Sequence, residues 1–179
     1  MNRVKGFFGH LRTVTRHRHQ VLRNCIRAGI PLQGLVHDLS KFSPTEFWQG
    51  VRYFDGTHSP TEDERREQGY SVAWMHHKGR NRHHWEYWTD YRSDLGRYVS
   101  VPMPRRYLAE MVCDRIAASK IYKGAAYEDS CPITYLQRGR MRTSMHPQTV
   151  EELTYFLTLL RDEGEKAMFA ALRAWVREE

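Results

Sequence analysis

Apolar residues recur every three to four positions through most of this chain, and no stretch sustains the alternation expected of a half-buried strand. Leu11, Val14, Val21, Leu22, Cys25 and Ile26 share one face, so residues from about 8 to 28 read as a helix, ended by Gly29 and Pro31. Residues 31 to 40 read as a short helix carrying Leu32, Leu35, Val36 and Leu39. Ser43 and Pro44 then open another, with Ser43 as the cap and Glu46 as its reciprocal partner, and Asp55-Gly56 closes it. Two short helices follow, over 61–68 and 70–78, then a turn or helix over 83–88. Residues 89–103 read as irregular. Pro104 opens a strong helix to about Lys123, with Tyr107, Leu108, Met111, Val112, Ile116 and Ile121 apolar. Residues 125–147 read as loop with one helical turn at most. Thr149, with Glu152, is placed to cap a helix to Arg161, and a last helix runs from about Gly164 to the end. The expected fold is all-α. It is a single-domain helical bundle over 1–179, with a core from about 8 to 124 and carboxy-terminal helices from about 149 packed on it.

With 179 residues, 40% of them hydrophobic, the chain can bury a core without covalent staples. Cys25, Cys113 and Cys131 are too few and too scattered for a disulfide framework. No apolar run approaches the roughly 18 residues of a membrane span, and the first residues lack a secretory leader. A reduced, cytoplasmic setting is the expectation, with no membrane partner. The net charge of +7 is unevenly placed. No Asp or Glu precedes Asp38, whereas Arg3, Lys5, Arg12, Arg16, Arg18, Arg23 and Arg27 do. Three readings fit such a segment. It is a solvated helix face that also attracts small anionic substrates, a nucleic-acid or membrane patch, or a transit segment. The first is favoured on charge pattern, and the transit reading is weak because Gly29-Ile30-Pro31 joins the segment smoothly to the next helix.

Histidine is the abnormal component: ten in all, with His76, His77, His83 and His84 inside nine residues. These four frame Lys78, Arg80, Asn81 and Arg82, so imidazoles and cations meet at one place. The bland alternative is a basic loop that binds anions without a metal, for which four histidines are wasteful at neutral pH. His17 shares a helix face with Val14 and Val21, where a lone histidine is more often a satisfied core residue; His19 points elsewhere. Asp114 lies between Met111 and Ala118 on the strong helix, a costly place for a carboxylate unless it is paired or bound to metal. His37-Asp38 is followed three residues on by Lys41, a cation able to steady a phosphate. Imidazole and carboxylate from separate helices suit one or two divalent transition-metal ions: Mn, Fe, Co, Ni or Zn.

In that order, His17, His37-Asp38, His76/His77, His83/His84 and Asp114 resemble the H…HD…H…H…D pattern of the HD-domain superfamily of metal-dependent phosphohydrolases. His37-Asp38-Leu-Ser-Lys41 is similar to that superfamily's HD-x-x-K form. The stretches HDLSKFSPTEFW, HHKGRNRHHWEYW and CDRIAASKIY more closely resemble a small bacterial and phage protein family. The resemblance implies a helical HD-type bundle in which His17, His37, Asp38 and Asp114 hold a first metal. Asp38 would bridge to a second, held by imidazoles from 76–84, and His76 and His84 are favoured within their pairs. It implies hydrolysis of a phosphate ester, nucleotide-like in class. Asp38, Lys41 and Arg80 would be the catalytic residues, and Lys41, Lys78, Arg80, Asn81 and Arg82 the phosphate contacts. Some HD-type proteins resemble mixed-valent di-iron oxygenases, which leaves a redox variant open. Two non-catalytic roles also fit the sequence: a degenerate domain that binds a metal or nucleotide without cleavage, and a nucleic-acid-binding module using the basic first helix.

Overall fold

The computed structural model describes residues 3–138 and 143–178, and those residues form eight α-helices and one small hairpin. The helices are α1 (Arg3–Ala28), α2 (Pro31–Val36), α3 (Pro44–Arg52), α4 (Pro60–Gln68), α5 (Val72–Lys78), α6 (Arg105–Lys123), α7 (Cys131–Arg138) and α8 (Pro147–Arg177). The mostly helical expectation therefore holds, with three local corrections.

The first lies at 89–103, expected to be irregular. Strands β1 (Thr89–Arg92) and β2 (Arg97–Ser100) pair antiparallel there, Thr89 opposite Ser100 and Arg92 opposite Arg97. The hairpin has no buried residue on either face, so no alternation marks it. Its stabilising contact is the cross-strand pair Tyr91–Tyr98, with ring centroids 5.4 Å apart. The second is α7, which lies where loop is expected and buries Ile133 and Leu136. The third concerns Thr149. The last helix begins at Pro147, and the His146 side chain accepts from Gln148 N–H. Thr149 is buried within the helix, and its hydroxyl accepts from Met103 N–H at 3.3 Å.

Helices α1, α6 and α8 pack on one another and build the core. Val21, Cys25, Leu108, Val112, Ile116, Leu153, Leu157 and Leu172 have no exposed surface. Each such leucine contributes about 1.5–3 kcal/mol of burial. Helix α2 lies directly against α1 at Gly34, where an added Cβ would come within 2.6 Å of Cys25 Cβ and 3.0 Å of Leu22 Cα. That close approach fixes where α2 ends, and His37 and Asp38 follow immediately.

Helix α8 is two helices joined at Gly164, whose φ of 78° and ψ of 176° are open only to glycine at low cost. The kink carries Glu165 to Arg27 on α1 and Lys120 on α6, tying three helices together. An alanine Cβ at 164 would have room, its nearest neighbour being Asp129 Oδ2 at 3.8 Å. Gly164→Ala is thus expected to cost about 1–3 kcal/mol through backbone strain alone, read as a lower denaturation midpoint with an unchanged slope.

Candidate metal centre

Five segments converge on one buried point between α1, α2, α5 and α6. His17 comes from the middle of α1 and Asp114 from the middle of α6. His37 and Asp38 come from the break after α2. The expected helix over 31–40 stops at Val36, and Asp38 takes a left-handed conformation with φ 54°. It is the one non-glycine residue with positive φ among those described. Consecutive side chains on a helix diverge by about 100°. The break lets both His37 and Asp38 turn inward, where each is 1% exposed. The same logic separates the two histidine pairs. His76 and His77 lie on α5, and only His77 turns toward Asp38, its Nε2 3.2 Å from Oδ1. His83 and His84 lie in the turn that follows, and both face the centre.

The donor atoms fall into two groups. His17 Nε2 is 3.0 Å from Asp114 Oδ1 and 3.8 Å from Asp38 Oδ2. His37 Nε2 is 3.3 Å from Asp38 Oδ2 and 3.7 Å from Asp114 Oδ1. On the other side, Asp38 Oδ1 faces His77 Nε2 and His83 Nε2, at 3.2 and 3.5 Å, with His84 completing the group. Donors bound at about 2.1 Å to a shared ion lie about 3.0–3.4 Å from one another. Five sealed atoms here make no hydrogen bond: Nε2 of His17, His37, His83 and His84, and Oδ1 of Asp38. Buried polar atoms normally find partners. This set, aimed at one point and composed of imidazole and carboxylate, fits divalent transition metal.

Two acidic residues hold the imidazoles in place. Glu110 Oε1 accepts from His37 Nδ1–H at 2.8 Å and from His83 Nδ1–H at 3.1 Å, one from each donor group. Glu46 accepts from His76 and His77 Nδ1–H, at 2.6 and 2.7 Å. A carboxylate on Nδ1 leaves Nε2 as the free lone pair, the arrangement that metal-binding histidines use. Ser43 does cap α3, its Oγ accepting from Glu46 N–H at 3.4 Å, but the Glu46 carboxylate turns to the histidines instead of closing a capping box. Neither glutamate is a candidate on sequence grounds. The readable signal for Glu110 is its place four residues before Asp114, on the same face of α6.

The charges are unbalanced. Asp38, Asp114, Glu46 and Glu110 are four carboxylates, and Lys41 is the ammonium among them, its Nζ 2.7 Å from Asp38 Oδ2. Burial opposes charge at His37, yet the carboxylates of Asp38, Glu110 and Asp114 outweigh it and raise the imidazole pKa to about 10. Burial likewise opposes charge on Lys41 and His77, and Asp38 above all raises both. Burial would raise Asp38 and Asp114, but the surrounding imidazoles, and Lys41 at Asp38, hold both well below the carboxylate range. His17 and His84 are lowered chiefly by burial. Without a metal, a proton on His37 offsets part of this negative charge, and a bound cation would displace that proton and leave Nε2 as a donor.

The remaining expected contacts sit elsewhere. Lys78, Arg80, Asn81 and Arg82 do not line the cavity that opens on the centre. Arg80 donates to His76 O, and exposed Arg82 donates to Tyr107 Oη at 3.0 Å. Asn81 is buried and donates to Ser40 Oγ and His77 O, both at 2.8 Å, which pins the turn that presents His83 and His84. His76, its side chain 20% exposed, reaches Glu46 and joins no donor group. Trp85 lines the cavity and, like Trp88, packs on the core. In the basic first helix, Arg18 donates to Leu35 O and His37 O, closing the end of α2. Arg27 pairs with Glu165, and Lys5, Arg12, Arg16 and Arg23 form a stripe on the outer side.

Comparison with known families places this architecture. Residues 6–159 match the model of a family of unknown function (DUF5662). The chain belongs to that family. All the donor residues named above lie inside the matched DUF5662 region. No curated protein and no solved structure matches the chain. No described helix is long and apolar enough to cross a membrane.

Proposed function

We propose that this DUF5662 protein is a metal-dependent phosphohydrolase of HD-domain type, acting on a small phosphate ester of nucleotide-like class. The observation that carries the reading is Asp38: its two oxygens face separate donor groups, His17, His37 and Asp114 on one side and His77, His83 and His84 on the other. A carboxylate shared in this way is the link of a two-ion centre. When bound, two divalent ions would supply polarisation of a phosphoryl oxygen and a nucleophile drawn from water at neutral pH.

The protein side follows from position. Lys41 stands on the 3-10 turn Leu39–Phe42, partly exposed to the cavity, where its ammonium neutralises charge that develops on the phosphoryl group. Asp38 holds Lys41 in that place. Glu46 orients His77 and Glu110 orients His37 and His83, so the centre needs little reorganisation when substrate arrives. Met111 and Ala118 flank Asp114 on the cavity wall and limit water around it.

Purified full-length protein is expected to carry transition metal by mass spectrometry, and to cleave members of a phosphoester panel with Mn, Co or Ni. Chelation should abolish cleavage, and metal should restore it. Metal-loaded protein that cleaves nothing on a broad panel would remove the hydrolase reading, and iron-specific oxygen consumption would replace it with a redox one. The basic stripe on α1 supports a second reading, nucleic-acid binding. Its mark would be steeply salt-dependent DNA or RNA binding that survives chelation.

A further inference from the structure

The metal centre occupies only part of its cavity, whose volume is about 510 Å³, room for a ligand well beyond a single phosphate. Elsewhere on the wall, two donors have no use in the proposed chemistry. Arg115 follows Asp114 on α6 and lines the cavity. Its guanidinium makes no hydrogen bond or ion pair among the described residues, and its Nε is sealed from solvent without a partner. One helical position from Asp114, it points about 100° away from that ligand around α6. Trp85 Nε1 is likewise sealed, without an acceptor, in a side chain that lines the same cavity.

Guanidinium and indole N–H are donors only. The outer guanidinium nitrogens of Arg115, neither sealed nor hydrogen-bonded, are therefore the donors open to a ligand in the cavity, while the carboxylates of Asp114 and Glu86 act on its charge only from a distance. Glu86, next to Trp85 and also on the wall, lies beyond ion-pair distance of Arg115, though the two charges act on each other. A cation on a cavity wall that no protein acceptor engages is a natural partner for an anionic group of a ligand. The positive charge selects an anion over a neutral carbonyl, and the fork of a guanidinium suits a carboxylate or phosphate.

We propose that Arg115 forms a second anion subsite in this cavity, so that the substrate carries a carboxylate or further phosphate beside the phosphate taken by the metal centre. This rests on the hydrolase reading for the first phosphate, but not for Arg115's choice of ligand.

Two matched pairs of probes test it: glycerol 3-phosphate against 3-phosphoglycerate, and sorbitol 6-phosphate against 6-phosphogluconate. Each pair differs by one carboxylate, and the pairs differ in span. Calorimetric affinities on Mn-loaded full-length protein are expected to favour the carboxylate member of at least one pair by roughly tenfold or more, the scale of one charge-assisted contact. Arg115→Met should remove that preference and leave the neutral member's affinity within about twofold. A second measurement needs no ligand: Arg115→Met should melt at or above the wild-type temperature, since it deletes a partly buried cation that no hydrogen bond or close ion pair holds. Equal affinities in the wild type, no binding of any probe, a preference that survives Arg115→Met, or a fall in melting temperature beyond about 5 °C would each overturn the subsite. Turnover is read separately. Protein that discriminates through Arg115 yet cleaves none of the four keeps the subsite and loses the hydrolase.

Discussion

Asp38→Asn protein is expected to fold, to lose stoichiometric metal at both positions, and to fall in turnover by at least about 10³-fold, equivalent to about 4 kcal/mol of barrier. The substitution is chosen for the backbone. Asp38 sits at φ 54°, a conformation that asparagine tolerates and alanine does not. Asn therefore keeps the turn after α2 and removes only the charge. Its amide has one oxygen where Asp38 has two, and that residue serves His17, His37 and Lys41 through Oδ2 and His77 and His83 through Oδ1. Losing the shared anion also frees Lys41 among imidazoles. Metal content by mass spectrometry checks the first part and phosphoester turnover the second. Asp38→Asn protein that keeps both ions would show that the two donor groups are not linked through this side chain.

The two buried glutamates give the second expected result, and it is a contrast. Glu110→Gln should weaken both ions, and Glu46→Gln only the second, each by about 10–100-fold in affinity. Glu110 accepts from His37 in one donor group and His83 in the other, through the same oxygen. Glu46 accepts from His76 and His77, of which only His77 is a donor to the centre. Glutamine retains the shape and one acceptor, so packing is preserved while the charge that orients and strengthens the imidazoles is lost. Competition with a graded chelator resolves the two affinities. Equal effects of the two variants, or none, would mean that the carboxylates are structural partners only.

The site is partly legible in the chain, and the limit can be seen residue by residue. His17 and Asp114 stand on long helices whose apolar faces are clear, so their inward direction follows from periodicity. The histidine density at 76–84 marks a place but not its members. Sequence favours His76 over His77, and the cavity takes His77 because α5 turns that position toward Asp38. Arg80 and Arg82 look like phosphate contacts by proximity in sequence, yet they leave the cavity on the outer side of the same turn. A pattern of four residues makes Glu46 a capping partner, and its carboxylate instead meets histidines thirty positions away.

What local sequence determines here is the helical class, most helix limits, and the residue types from which a metal centre can be built, because periodicity, caps and glycine stops act within a few residues. The tertiary structure alone decides which donors meet. Adjacent residues on a helix face different ways, so whether both members of a pair reach one point depends on whether the backbone breaks there. At His37-Asp38 and His83-His84 it does, and at His76-His77 it does not. Those breaks are set by packing between distant segments: Gly34 against Cys25, Arg18 on the end of α2, and Asn81 across to Ser40. Such contacts join residues far apart in the chain, and no short stretch of sequence contains both partners.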